Sequence, residues 1–143
     1  MLAKTVAKIL IFYLKDEKPL LLVLTRSASS SAPGLGDLPG GKIEDHESIE
    51  EGAKREVIEE TGLCLQELHS ICSYTMPHPS GIDKIEHLFC AISDIKDIRL
   101  NPDEHSEYDW ITLDYLSASK IHPVTLGAIK DQISSIEDML LKN

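Results

Sequence analysis

A chain of 143 residues, 42% apolar and 27% charged, has the size and composition of one folded domain, which excludes a disordered tail, a collagen-like repeat and a disulfide scaffold. Lysine and arginine number 14 against 24 aspartates and glutamates, for a formal net charge of −10. So acidic a chain is a poor electrostatic partner for a nucleic-acid backbone or an anionic membrane. A polyanion can still bind where a divalent cation lies between it and the protein.

Two apolar runs open the chain, Val6–Leu14 and Leu20–Thr25, separated by the polar turn Lys15-Asp16-Glu17-Lys18. Their near-continuous β-branched and aliphatic character predicts central strands covered on both faces. Neither approaches the ~18 apolar residues that a membrane-spanning helix needs. Lys15-Asp16-Glu17 stands where a targeting peptide would carry small residues for cleavage, so the segment reads as a strand. Ser27 to Gly34 is a small-residue loop, too short to separate domains, and a single domain is expected over residues 1–143.

Leu38-Pro39-Gly40-Gly41-Lys42-Ile43-Glu44 is a bend leading to a helix. Ser48 and Glu51 form an S-x-x-E capping box, helical residues continue through Thr61, and Gly62 supplies the stop. Cys64–Tyr74 and Ile82–Ile92 read as strands around the turn Pro77–Gly81, Asn101–Asp109 as an acidic loop, and Trp110–Leu113 as a short strand. His122-Pro123 starts a closing helix. On it Leu126, Ile129, Ile133, Ile136 and Leu140 recur at helical spacing and form one apolar face. Strands interrupted by two helices predict an α/β sandwich with a mixed sheet between helices. Cys64, Cys72 and Cys90 are odd in number and form no C-x-x-C pair. They read as reduced, buried thiols of a cytoplasmic protein.

The chemistry concentrates between Gly41 and Leu63. Glu56, Glu59 and Glu60 lie at i, i+3 and i+4 and span about 100° of helix surface. A solvated acidic face would point away from the core. Here Ile49, Ala53 and Val57 share a narrow arc, and Glu56 and Glu60 fall beside or inside it. Carboxylates placed there need a partner, and a hard divalent cation with oxygen ligands, Mg²⁺ or Mn²⁺, suits them. Gly40-Gly41 before this helix lets backbone approach a phosphate or metal. Arg55 can pair with Glu51 or reach back to Glu47.

Gly41, Glu47 and Arg55-Glu56-Val57-Ile58-Glu59-Glu60-Thr61-Gly62-Leu63 resemble the Nudix box, G-x5-E-x7-R-E-U-x-E-E-x-G-U with U aliphatic, at every position. Seven fixed identities would match by chance in roughly one window in 10⁸ at average residue usage. Residues 34–37, Gly-Leu-Gly-Asp, lack the aromatic that family members often carry there.

The resemblance implies a Nudix-like α/β/α sandwich and hydrolysis of a phosphoanhydride in a nucleoside diphosphate linked to another moiety. The candidates are a nucleoside triphosphate, oxidised or not, and a nucleotide sugar. It implies Mg²⁺ or Mn²⁺ held by Glu56, Glu59, Glu60 and the Gly40 carbonyl, with Arg55 orienting the glutamates and Glu47 bracing Arg55. The family often places one further glutamate before the residue that is Trp110 here, as ligand or general base; Glu107 is the first candidate and Glu104 the second, with Glu86 a lesser one. Arg26, at the end of the second run, is a candidate phosphate contact beside Gly40 and Gly41.

Two other readings stay open. One is a coenzyme A diphosphatase, suggested by Leu24-Thr25-Arg26-Ser27. The other is a nucleotide-sensing module without catalysis, which retention of every box carboxylate disfavours. The expected partner is a small nucleotide, without nucleic acid or membrane, and the expected assembly a monomer or homodimer. The six histidines show no metal-ligand spacing and read as surface or structural residues. Trp110 reads as core, and Tyr74, Tyr108 and Phe89 as aromatic candidates for a nucleobase pocket.

Overall fold

The computed structural model describes residues 4–143; residues 1–3 of the expected domain lie outside the described residues. The first apolar run is strand β1 (Lys4–Tyr13) and the second is β2 (Leu20–Arg26). Two short strands, β3 (Gly36–Asp37) and β4 (Gly40–Lys42), lead to helix α1 (Ile49–Thr61). Strands β5 (His69–Met76), β6 (Lys84–Ile92) and β7 (His105–Ile111) follow. A 3₁₀ turn at Leu113–Ala118 and helices α2 (Pro123–Asp131) and α3 (Ile133–Leu141) complete the chain.

The sheet runs β3-β2-β1-β6-β5, with β4 on β1 and β7 on β2. β1 pairs parallel with β6 and antiparallel with β2 and β4, so the sheet is mixed, as expected. Alternation along β1 sends Ala7, Ile9 and Ile11 toward one core, which also holds Ala53 and Val57 of α1. Leu10 and Phe12 face the opposite core, with Ile129 of α2 and Ile136 and Met139 of α3. The continuous apolar run is thus explained by burial on both sides, and the architecture is an α/β/α sandwich.

β1 and β2 pair only at Phe12↔Leu21 and Tyr13↔Leu20. Beyond that point β1 takes β4 as its neighbour and β2 takes β3, while β7 runs along the other edge of β2 from Leu21 to Arg26. The sheet forks there, and α1 closes over the fork with Glu60 at its deep end. The capping box forms as expected: Ser48 Oγ accepts from the Glu51 N–H at 3.0 Å, and the Glu51 carboxylate accepts from the Ser48 N–H at 2.9 Å. Gly62, at φ +77°, ends the helix, its N–H donating to the Ile58 carbonyl.

Several expectations are corrected. The segment expected to be strand from Cys64 is irregular to Leu68, and β5 begins at His69. Leu63, Leu65 and Leu68 are apolar because they fill the core that holds Ala53 and Val57 of α1. The acidic loop ends at Glu104, and residues 105–109 are strand. β7 pairs only with β2 among the described residues, and Ser106, Glu107, Tyr108 and Asp109 are exposed, so an edge strand carries no apolar signal. The closing helix is two helices broken at Gln132, whose ψ of 13° leaves the helical range; both pack on the same core, so the apolar spacing runs through the break. All three cysteines are free, but only Cys90 is buried, Cys64 being exposed. Trp110 packs half-buried against the core under α1, its Nε1–H donating to the Lys96 carbonyl at 3.0 Å. Among the described residues no helix is long and apolar enough to cross a membrane.

Candidate active site

Arg55 organises the exposed side of α1. Its Nε and Nη2 donate to the two Glu47 oxygens at 3.0 and 2.6 Å, a bidentate pair. Nη1 donates to Glu56 at 3.1 Å and to Glu59 at 3.3 Å, and Nη2 also reaches the Lys42 carbonyl at 3.1 Å. Of the two partners open to Arg55 in the sequence, Glu47 is taken, and Glu51 serves the helix cap. The hydrogen bonds from Arg55 and from the Glu44 N–H pull the Glu47 carboxyl down to about 2. The Glu47 hydrogen bond leads the set that holds the Arg55 guanidinium above its ordinary pKa.

The two glycines make room for carboxylates. A Cβ on Gly41 would lie 2.5 Å from Glu56 Oε2, so only a residue without one lets Glu56 fold back against β4. Gly40 sits at φ +142°, where a Cβ would strike the Ala7 carbonyl oxygen, and its N–H donates to Glu60 Oε1 at 2.8 Å. Glu60 itself is 4% exposed. Burial pushes its carboxyl up to about 8, against the opposing pull of Lys8 and the Gly40 N–H. Burial likewise raises the Glu56 carboxyl, with Arg55 opposing.

A second cluster fills the fork. Asp37 on β3 accepts from Lys8 Nζ of β1 at 2.8 Å, from Arg26 Nη1 of β2 at 3.2 Å and from His105 Nε2 of β7 at 3.1 Å. Burial alone would raise the Asp37 carboxyl, but Lys8 and His105 outweigh it and hold it well below the usual range. Burial works against the Lys8 charge too, yet Asp37 and Glu60 more than offset it and its pKa stands raised. His105 is 2% exposed, and its Nδ1 lies 3.4 Å from Glu60 Oε2. One ligand atom each from Glu60, Glu104 and His105 lie within 4.8 Å of one another, a grouping able to hold a metal ion.

The family model of the NUDIX domain matches residues 4–131. The chain belongs to the Nudix family. Over 87 residues it is 31% identical to the oxidized purine nucleoside triphosphate hydrolase of Mus musculus, covering 59% of this chain and 53% of the relative, so it spans about half that protein's length. Its fold matches the MutT protein of Methanosarcina mazei Go1 with a TM-score of 0.81 at 27% identity, covering 93% of this chain and 94% of that one. It also matches the MutT Nudix hydrolase of Burkholderia pseudomallei with a TM-score of 0.74 at 23% identity, covering 93% and 99%; at that identity the likeness is one of fold.

Within this Nudix domain the residues singled out from sequence divide clearly. Arg55, Glu47, Glu56 and Glu59 form one hydrogen-bonded fan, and Glu60 lies beside it on Gly40. Glu59 is the most open of the box glutamates, with 57% of its side chain exposed. Glu104, the second candidate before Trp110, converges on Glu60. Glu107, the first candidate, is exposed on β7 opposite Thr25 and does not join that grouping. Arg26 is engaged by Asp37 and by Ser31 Oγ at 3.2 Å, so its guanidinium is already partnered on two nitrogens. Glu86 is buried elsewhere on β6, accepting from Tyr74 Oη at 2.8 Å. Phe89 is core, Tyr108 is exposed, and Tyr74 is half-buried beside Glu86.

Sequence reading missed Lys8, Asp37 and His105 as members of the site. A lysine inside an otherwise apolar strand was a usable signal for Lys8, and an aspartate abutting Leu-Pro-Gly-Gly was one for Asp37. His105 had none, because its burial depends on β7 pairing with β2.

Proposed function

We propose that this Nudix domain hydrolyses a phosphoanhydride bond in a nucleoside diphosphate linked to another moiety, a nucleoside triphosphate (oxidised or not) or a nucleotide sugar, with Mg²⁺ or Mn²⁺. The observation that carries the reading is the meeting of the Arg55-oriented glutamates with buried Glu60 and exposed Glu104 at the mouth of the fork. The likeness to the mouse relative, named as an oxidized purine nucleoside triphosphate hydrolase, supports the nucleoside triphosphate within this class. Three free cysteines fit a reducing cytoplasm.

The donor set fits a hard divalent cation. Glu60 is a buried carboxyl without a cationic hydrogen-bond partner, and Glu104 approaches it. Glu56, Glu59, Glu60 and the Gly40 carbonyl would hold the ion, with Glu104 added from the end of the loop in place of Glu107. When bound, such an ion polarises phosphate oxygens and lowers the pKa of water. Arg55 fixes the carboxylate rotamers beforehand, so little reorganisation remains at the moment of reaction. Glu104, at the junction of loop and β7, accepts the proton of the attacking water. No covalent nucleophile is required.

The test is turnover of a panel of nucleoside triphosphates, nucleotide sugars and coenzyme A, with Mg²⁺ or Mn²⁺ and with chelator, products resolved by mass. Cleavage between phosphates that vanishes in chelator and returns with the metal is expected. Binding of nucleotides without any cleavage would replace this reading with a sensing module.

A further inference from the structure

The buried imidazole of His105 is held in an arrangement that the glutamate-centred reading does not use. Asp37 is an ionised acceptor, so the His105 nitrogen facing it, Nε2, carries the hydrogen of their 3.1 Å contact. Nδ1 points the other way, 3.4 Å from Glu60 Oε2. Among the described residues it is one of three buried side-chain polar atoms without a hydrogen bond, the others being Arg26 Nε and Thr112 Oγ1. Its near neighbour is the Glu60 carboxylate, and Glu104 brings a further oxygen to the same grouping. A ring nitrogen and a carboxylate oxygen at this separation need a proton or a metal ion between them, and a metal ion takes the place of the proton that Glu60 keeps when the site is metal-free.

The spacing suits a shared cation. Two donors at about 2.1 Å from one ion and at right angles are about 3.0 Å apart. The 3.4 Å separation of Nδ1 and Oε2 needs only a small closing movement to reach it. The far side of the ring has the support that metal-bound histidines have, since their second N–H is nearly always donated to a carboxylate or carbonyl that fixes the tautomer. Asp37 fills that place and is itself held by Lys8 and Arg26.

We propose that His105 supplies a nitrogen ligand through Nδ1, making the cation site of this domain a mixed imidazole–carboxylate site with Glu60 and Glu104. The proposal rests on the metal-dependent reading above but goes beyond it: it adds a ligand, and the ligand changes which metal is preferred. Imidazole binds Mn²⁺, Co²⁺ and Zn²⁺ far more readily than Mg²⁺, which keeps oxygen ligands and water. A site with His105 in it therefore selects Mn²⁺ over Mg²⁺ relative to one built from glutamates alone.

The experiment uses the whole chain, prepared metal-free and loaded with one equivalent of Mn²⁺, without substrate. Pulsed electron paramagnetic resonance reads nitrogen directly bonded to the ion, and ¹⁵N-histidine labelling identifies it as imidazole. Parent protein is expected to show that coupling and His105→Gln to lose it. Calorimetry is expected to show Mn²⁺ affinity falling by roughly tenfold or more in His105→Gln, on the scale that ligand-shell changes produce, with Mg²⁺ affinity nearly unchanged. The parent spectrum decides even if the variant fails to fold. Mn²⁺ bound in the parent without nitrogen coupling overturns the proposal and leaves His105 as a positioning residue for Glu60, with the hydrolase reading intact. Failure of the parent to bind Mn²⁺ or Mg²⁺ at all overturns both.

Discussion

Two charge clusters meet at Glu60, and they are built in opposite ways. Arg55 gathers Glu47, Glu56 and Glu59 from within eight positions of itself, on the partly open surface of one helix and the turn that enters it. Asp37 gathers Lys8, Arg26 and His105 from separations of 29, 11 and 68 residues, between strands, with Lys8 and Asp37 largely shielded and His105 fully buried. Ion pairs with solvent access contribute only ~0–1 kcal/mol each, so the Arg55 fan orients groups more than it stabilises the fold. A buried pair broken on one side costs far more, because the remaining charge stays behind without a partner. In the proposed reading the cluster with the conspicuous motif carries the chemistry, and the other, apart from His105, carries the structure on which that chemistry stands.

Glu104 joins the two clusters, and its removal is expected to have the largest effect. Glu104→Gln should lower kcat by roughly 10²–10⁴ if it is the general base, while Glu107→Gln stays near the parent. Steady-state rates of the two variants side by side would reverse the assignment if Glu107→Gln were the crippled one. Next comes the buried cluster: Asp37→Ala is expected to cost roughly 3–5 kcal/mol in denaturant unfolding, by stranding Lys8. The double variant Lys8→Met/Asp37→Ala should recover part of that loss. A double variant no more stable than the single would show that Lys8 is not what Asp37 neutralises.

Arg55→Ala is expected to divide the two properties. Its kcat should fall by about 10²-fold, through misplaced glutamates, with unfolding free energy within about 1 kcal/mol of the parent. A large stability loss with normal kcat would invert the contrast between the clusters.

The remaining expected effect is a pH slope. In metal-free protein Glu60 titrates at about 8, above its unfolded value near 4.5, so the folded chain keeps a proton that the unfolded chain has released. Stability relative to Glu60→Gln is therefore highest below about pH 4.5, falls as pH rises through about 8, and then levels. Saturating Mg²⁺ should displace that proton and flatten the slope. Thermal unfolding of both proteins across this range, with and without Mg²⁺, reads it directly.

The same contrast explains what could be read from sequence. α1, its caps and its glutamates are specified by neighbours three, four and eight residues away, so spacing alone places them. β1 and β2 announce themselves because burial on both faces leaves no polar alternation to misread. His105 joins the site only through the pairing of β7 with β2, which no local pattern encodes, and β7 is polar because it lies at an edge. Glu104 and Glu107 look alike as members of one acidic stretch. Three residues of a strand separate them in space, because Glu104 precedes β7 and Glu107 lies within it. The break at Gln132 is silent because the apolar spacing across it does not change.

The fork between β1 and β2 also bears on the order in which the molecule assembles. β1 can take up β2 and β4 as soon as the first 42 residues exist, but its parallel partner β6 ends at Ile92 and the other prong's β7 at Ile111. Pairings of such long separation pay their loop entropy before any contact rewards it, and they set the pace of folding. During synthesis α1 and its glutamates are therefore complete while the pocket that receives Glu60 still has one wall missing. His105 is the last part of that wall to arrive, and the acidic helix end waits without its imidazole neighbour until the seventh strand docks.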